Sequence, residues 1–264
     1  MLPALSQHRK TILFIILSGI FLTNAIIAEL MGVKIFSAEG TLGLPPAQIP
    51  LLGDVVLDIN LAAGVVIWPV VFITTDIINE YYGQRGVRLI SFFTVACIGY
   101  VFVVIYVVTR LTPADFWLEV NGQDEAGNPF NINYAFTKVY TQGLGIIVGS
   151  LLAFLIGQLL DVVVFHRLRR MTGEGKIWLR ATGSTLVSQL IDSYVVLFVA
   201  FYVFGDWSVR QVVAVGIVNY TYKFVVAVAV TPLLYVAHYA IDRYLGQELS
   251  AKMMEDASRN APAF

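Results

Sequence analysis

Acidic, basic and amide side chains stand at intervals inside stretches of this chain that are otherwise almost wholly apolar. The ionisable ones are Glu29, Asp58, Asp76, Asp161, Asp192 and Lys223, with Asn79 and Glu80 just after Asp76. Asn24, Gln158, Ser184, Ser188, Gln189 and Asn219 are their neutral companions. If those stretches lie in a bilayer, each ionisable group opposes insertion by roughly 2.5–3.5 kcal/mol, so it faces a bundle interior and marks a pathway or a site. Asp192 and Lys223 could neutralise each other as a buried pair, or hydrogen-bond a polar solute. The remaining polar groups exceed what one ion pair needs. A carboxylate accepts two parallel N–H bonds from a guanine-like edge, and Asn or Gln meets a lactam carbonyl, so such a cavity suits a heterocycle with several donors. Asp76, Asn79, Glu80 and Gly83 also fit an ordinary helix exit at the membrane surface. Two carboxylates four residues apart on a helix repel unless a cation lies between them, and Arg180 or Lys34 could supply it.

Enzyme signatures are lacking. The chain has no H-E-x-x-H, no G-x-S-x-G, no G-x-G-D and no G-x-x-x-x-G-K-[ST] phosphate loop. His8, His166 and His238 are scattered near expected helix ends, which suits interfacial packing or solvated caps. Cys97 is the single cysteine and sits in an apolar run, so no disulfide framework or cysteine metal site can be built within one chain. No catalytic residue, metal or cofactor is therefore expected. Seventeen Lys+Arg against 18 Asp+Glu give a net charge of −1, with no basic excess to suggest nucleic acid.

The elements that position these groups follow from composition. Of 264 residues 58% are hydrophobic and 13% charged, with a mean hydropathy of +0.75. A soluble domain of this length cannot hide so much apolar surface, and disorder needs the opposite composition. The expectation is an all-α polytopic membrane protein: one domain, a bundle of six transmembrane helices with both termini cytoplasmic. The runs near the length a span requires are 11–31, 55–78, 87–110, 144–165, 181–204 and 212–241. Gly145, Gly149, Ala153 and Gly157 recur every four residues on the face that carries Asp161, a stripe that lets helices approach closely. Residues 32–54, with Gly40, Gly43, Pro45, Pro46 and Pro50, form an apolar loop of re-entrant or interfacial character. Residues 112–141 form a long polar loop, and 247–264 a flexible tail. With the N-terminus inside, the cytoplasmic segments hold 12 Lys/Arg and the external ones 4, the bias that orients membrane proteins. Arg9 and Lys10 before an apolar run also fit a cleavable signal peptide, but the run is long enough to span.

Several of these segments, taken in order, resemble the queuosine precursor transporter family, also called the vitamin uptake transporter family. They are TNAIIAELMGVK from Thr23 to Lys34, TDIINEYYG from Thr75 to Gly83 followed by Arg85 and Arg88, and QLLD from Gln158 to Asp161. SQLID from Ser188 to Asp192 and NYTYK from Asn219 to Lys223, with Thr231-Pro232, complete the set. The resemblance covers about residues 11–241, and TDIINEYYG is its most specific part. It implies import of 7-cyano-7-deazaguanine or 7-aminomethyl-7-deazaguanine across a bacterial inner membrane, for salvage into the tRNA nucleoside queuosine. The substrate-binding set it implies is Asn24, Lys34, Asp76, Asn79, Glu80, Gln158, Asp161, Arg180, Ser188, Gln189, Asp192, Asn219 and Lys223. The partners it implies are a small deazapurine and the lipid bilayer. The long loops 32–54 and 112–141 depart from the family pattern and bear on substrate entry and choice. Two alternatives stay open on the residues alone. One is a substrate-binding membrane subunit driven by a separate ATPase module; the other is an intramembrane enzyme using Asp76, Asp161 or Asp192. A homo-oligomer is compatible with each.

Overall fold

The computed structural model describes residues 2–51, 55–141, 144–172 and 177–259. It is 79% helical and has no closed sheet, which makes this an all-α polytopic membrane protein. The long helices are α1 (Leu2–Met31), α3 (Trp68–Val108), α6 (Leu144–Thr172), α7 (Ile177–Leu197) and α8 (Val209–Leu245). Each contains a stretch long and apolar enough to cross a membrane; for α7 that stretch continues through a π-helical turn at Phe198–Val203. Short helices lie between them: α2 (Ala38–Thr41), α4 (Asp115–Val120) and α5 (Ile132–Tyr140), with α9 (Gln247–Arg259) at the end.

Helix α3 holds both the second and the third expected span. Gly83 interrupts it at φ 66°, ψ −170°, a left-handed backbone that favours glycine. Trp68 near its start and Phe102 near its end line the same cavity. A continuous helix between them would be on the order of 50 Å long, so the chain doubles back at Gly83. Halves 68–82 and 84–108 thus run in opposite directions, which gives six long helical segments among the described residues. The first half starts at Trp68, not at Val55 as hydropathy implied, because Val55–Leu57 and Asn60–Ala62 are strands. Pro69 supports that start, since its fixed φ suits the first turn and its missing N–H is not needed there.

The loop after α1 is ordered. Strands β1 (Ile35–Ser37) and β4 (Asn60–Ala62) pair antiparallel, Ile35 opposite Ala62, and β2 (Ile49–Leu51) pairs with β3 (Val55–Leu57), Ile49 opposite Leu57. Glu39 ties the two hairpins together: its carboxylate accepts from Ile59 N at 2.6 Å, Ala47 N at 3.2 Å and Ser37 Oγ at 3.0 Å. Asp58, expected inside a span, instead accepts from Gln48 N at 3.0 Å in this loop. A Cβ on Gly64 would lie 2.4 Å from the Ala28 carbonyl oxygen, so the loop's 3₁₀ turn (Ala63–Val66) rests directly on α1.

Helices α6 and α7 make the most extensive contact, and the stripe of small residues explains it. A Cβ on Gly149 would sit 3.2 Å from Ala200 N, and one on Gly157 3.6 Å from Asp192 Cβ. Helix α8 begins with a capping box formed by Ser208 and Gln211 and ends at Gly246, φ 87°. The polar tail expected to be flexible is helical over Gln247–Arg259, because it is amphipathic and buries Ser250, Met253 and Ala257. Ser250 Oγ donates to Asp242 Oδ1, Arg169 donates to the Met254 carbonyl at 2.8 Å, and Ala257 packs on the Gly83 turn. Two of the three histidines are likewise buried instead of solvated: His166, and His238, whose Nδ1 meets the Tyr81 hydroxyl at 3.0 Å.

Candidate functional site

Trp68 opens α3 and lines three neighbouring pockets, the lobes of one candidate site, among α1, α3, α6, α7 and α8. One lobe is bounded by Asp76, Thr185, Tyr222 and Lys223. A second holds Glu29, Ser150, Asp192, Asn219 and Lys223, roofed by Ala62, Gly64 and Val65 of the ordered loop. The third is bounded by Phe72, Gln158, Asp161, Ser188, Gln189 and Asp192. Helical spacing accounts for the convergence. Phe72 and Asp76 follow Trp68 at intervals of four on one face of α3, Gln158 and Asp161 share a face of α6, and Ser188 and Asp192 share one of α7.

Among the polar groups in the walls, several acceptors lack donors. Ser188 donates to Asp161 Oδ1 at 3.3 Å, while Asp161 Oδ2 meets no donor. Asp76 Oδ1 and Gln189 Oε1 are also buried without a donor. Thr75 Oγ1 donates to Gln158 Oε1 at 3.2 Å. Ser150 Oγ donates to Glu29 Oε2, leaving Oε1 without a protein partner. Lys223 Nζ lies 2.5 Å from Asp192 Oδ2, so helices α7 and α8 are clamped by an ion pair that itself faces the cavity. Trp68, Phe72 and Phe154 supply flat apolar walls, with Trp68 and Phe72 rings 5.8 Å apart and stacked.

The sequence-derived set divides accordingly. Asp76, Gln158, Asp161, Ser188, Gln189, Asp192, Asn219 and Lys223 come together around this cavity. Asn24 does not join them; it donates to the Ile20 carbonyl of its own helix at 2.8 Å. Lys34 is exposed beyond α1, where its carbonyl accepts from Ala63 N. Asn79 and Glu80 are fully buried farther along α3. Among the described residues, a cation beside Glu80 is Arg169 of α6, at 3.5 Å, where helix-exit reasoning looked to Lys34 or Arg180. Arg180 stands in the first turn of α7, and its side chain lies outside the described residues.

Some residues of the site escaped the sequence reading. Trp68 and Phe72 look like core in an apolar run, and only the Trp-Pro start of α3 hints at a mouth. Ser150 hides among the glycines of α6. Glu29 stood out as a charge in a span, yet its partner on α6 is 121 residues away. Among the described residues no group of three or more His, Cys, Asp or Glu could hold a metal ion.

Comparison with known proteins adds an independent observation. The family model described as "Putative vitamin uptake transporter" matches residues 62–237, which includes every cavity residue named above except Glu29. The chain is 30% identical over 175 residues to a probable queuosine precursor transporter of Bacillus subtilis (strain 168), covering 66% of this chain and 70% of that protein. It is 25% identical over 182 residues to a probable queuosine precursor transporter of Haemophilus influenzae, covering 67% and 66%. The queuosine precursor transporter of Escherichia coli (strain K12) is 25% identical over 174 residues, covering 66% and 70%. No solved structure matches the chain.

Proposed function

The chain belongs to the vitamin uptake transporter family, and from that premise we propose that it imports a queuosine precursor of the 7-deazaguanine class across a bacterial inner membrane. The cargo is 7-cyano-7-deazaguanine or 7-aminomethyl-7-deazaguanine, taken up for salvage into tRNA queuosine. The observation that carries this reading is the wall of acceptors without donors: Asp76 Oδ1, Asp161 Oδ2 and Gln189 Oε1. A 7-deazaguanine presents a lactam N–H beside an exocyclic amine, and one carboxylate can accept both. Asp76, Asp161 and Asp192 are the candidates for that contact. Glu80 leaves the set because it is fully buried beside Arg169. Gln158, Gln189 and Asn219 can meet the lactam carbonyl, and Trp68 and Phe72 offer faces on which a flat ring stacks. Ser188 and Lys223 act through the carboxylates they touch, Asp161 and Asp192. In this reading the protein is a carrier and not an enzyme, built as a single six-helix domain.

The experiment is uptake in a bacterial strain that can neither make the precursor nor import it. Expression of this chain should restore queuosine to its tRNA when either 7-deazaguanine is supplied. Unmodified tRNA, in cells whose membranes contain the protein, overturns the assignment.

A further inference from the structure

We propose that Asp76 and Asp161 together form a proton-binding site, and that one proton enters with each substrate molecule. The inference rests on the transport reading and adds its driving force.

The two carboxylates lie on α3 and α6 within spanning segments, 6% and 5% exposed, where Thr75 beside Asp76 donates to Gln158, one helical turn before Asp161. Neither forms an ion pair among the described residues. Among the described residues, every other charged or titratable group facing the pair is committed elsewhere or cannot neutralise it. Glu80, one helical turn from Asp76, lies beside Arg169. Lys223 borders the Asp76 lobe but holds Asp192 at 2.5 Å. Tyr222 brings a neutral phenol to that lobe, and Glu29 stands across the outer lobe from Asp192, hydrogen-bonded by Ser150. Among the described residues, donors toward the pair are the hydroxyls of Ser184 and Ser188 on Asp161. Asp76 Oδ1 and Asp161 Oδ2 are left with no hydrogen, and so is Gln189 Oε1, which is 4% exposed in the Asp161 lobe.

Two adjacent carboxylates removed from water do not both stay ionised, since their repulsion and their desolvation act in the same direction. One proton between them removes a charge and supplies the missing hydrogen. A metal cation would need a larger ligand set than this, and no such set exists among the described residues. The coupling follows from geometry. The pair sits where the lobes lined by Trp68 and Phe72 adjoin. Closing α3 and α6 over a base bound to one carboxylate, with the other also ionised, would bury two like charges. With the proton aboard it buries one, so closure with substrate requires the proton, taken from the outer solution and released to the cytoplasm.

The first test needs no substrate. Infrared spectra of purified protein near neutral pH should show the carbonyl stretch of a protonated carboxylic acid, lost in D76N and in D161N. A wild-type spectrum without that band, or a band unchanged in both variants, overturns the site. The second test uses wild-type protein in liposomes with a trapped pH dye. Counterflow of labelled 7-cyano-7-deazaguanine without any gradient tests the transport reading by itself. If counterflow occurs, an inside-alkaline gradient of about one pH unit should drive about tenfold accumulation, the ratio one coupled proton can support. The lumen should acidify when substrate is added, and a protonophore should abolish accumulation. Counterflow with accumulation indifferent to the pH gradient, or driven by sodium instead, overturns proton coupling and leaves the transport reading standing. An acid band without counterflow supports the proton site and overturns the cargo.

Discussion

A carboxylate oxygen that is buried and meets no donor persists only if something else in the working cycle satisfies it, because an unmade bond of this kind costs about 1–3 kcal/mol. Asp76 and Asp161 each carry one such oxygen. Changing the carboxylate that holds the base to Asn keeps its size and replaces an acceptor by a donor, so donor faces donor. Uptake at low substrate should then fall by roughly ten- to a hundredfold, with membrane abundance little changed. Guanine and both deazaguanines share the same edge, so their competition should weaken together. If Asp76, Asp161 and Asp192 can each be changed to Asn without loss of uptake, carboxylate recognition of the base is wrong. The Asp192–Lys223 pair makes a second case. Removing one partner leaves a half-buried charge; the double variant Asp192→Asn with Lys223→Met removes both. Abundance on immunoblots should recover in the double variant and uptake should not. Recovery of both would reduce the pair to a clamp between α7 and α8. These residues were legible in the sequence because a charge in an apolar stretch is conspicuous. Arg169 beside Glu80 was not, since spacing rules see only one helix and this contact joins positions 89 apart.

At the scale of elements, the ordered loop and the Gly83 turn are the parts hydropathy could not resolve. Residues 55–62 are apolar enough to continue a helix, and only pairing with 35–37 and 49–51 turns them into strands. Glu39 gives this loop a pH dependence. The Ile59 N–H above all, then the Ser37 hydroxyl and the Ala47 N–H, hold its carboxyl below the usual carboxylate range. A lowered pKa stabilises the folded loop above the ordinary carboxylate pKa of about 4.3, and that contribution is lost as pH falls toward the lower folded-state value. Amide hydrogen exchange at Ala47 and Ile59, corrected for intrinsic rate, should therefore accelerate below about pH 4. In Glu39→Gln it should be fast at both neutral and acid pH. Protection unchanged by the substitution would show that Glu39 does not hold the loop. Gly83 carries a different expectation. Alanine there must adopt φ 66° and place its Cβ 3.1 Å from the Ala257 carbonyl oxygen. Left-handed backbone alone costs roughly 1–2 kcal/mol, so Gly83→Ala should lower the thermal unfolding midpoint in detergent by several degrees. Deleting α9 should shrink that penalty, because one of its two causes goes with the helix; an undiminished penalty would place all of it in the backbone.

At the scale of the whole molecule, one end gathers the basic residues. Arg9 donates to the Tyr244 carbonyl at 3.3 Å, and Tyr82 donates to the Lys10 carbonyl at 2.7 Å, which brings the start of α1, the Gly83 turn and the end of α8 together. Arg169 near the end of α6 reaches Met254 of α9 at the same end. Arg85, Arg88, Arg167, Arg170, Arg243 and Lys252 lie in these same segments. The opposite end carries the ordered loop and helices α4 and α5, with only Lys34, Arg110, Lys138 and, in the first turn of α8, Arg210 as basic residues. The start of α1 and helix α9 therefore lie at one end of the molecule. From the 12-to-4 distribution of Lys and Arg we propose that this face is the cytoplasmic one. In that orientation the ordered loop covers the cavity on the external side, over Glu29 and Asp192, and α9 packs on Gly83 at the cytoplasmic end. Reporter fusions after Lys10, Arg85, Arg170 and Lys252 should read cytoplasmic, and a fusion at Asp124 external. The informative pair is Arg85 and Asp124, because they flank the half of α3 that exists as a separate crossing only if the chain turns back at Gly83. A cytoplasmic reading at Asp124 would leave 68–108 without its reversal, and with it the antiparallel packing that brings Trp68 and Phe102 to one cavity.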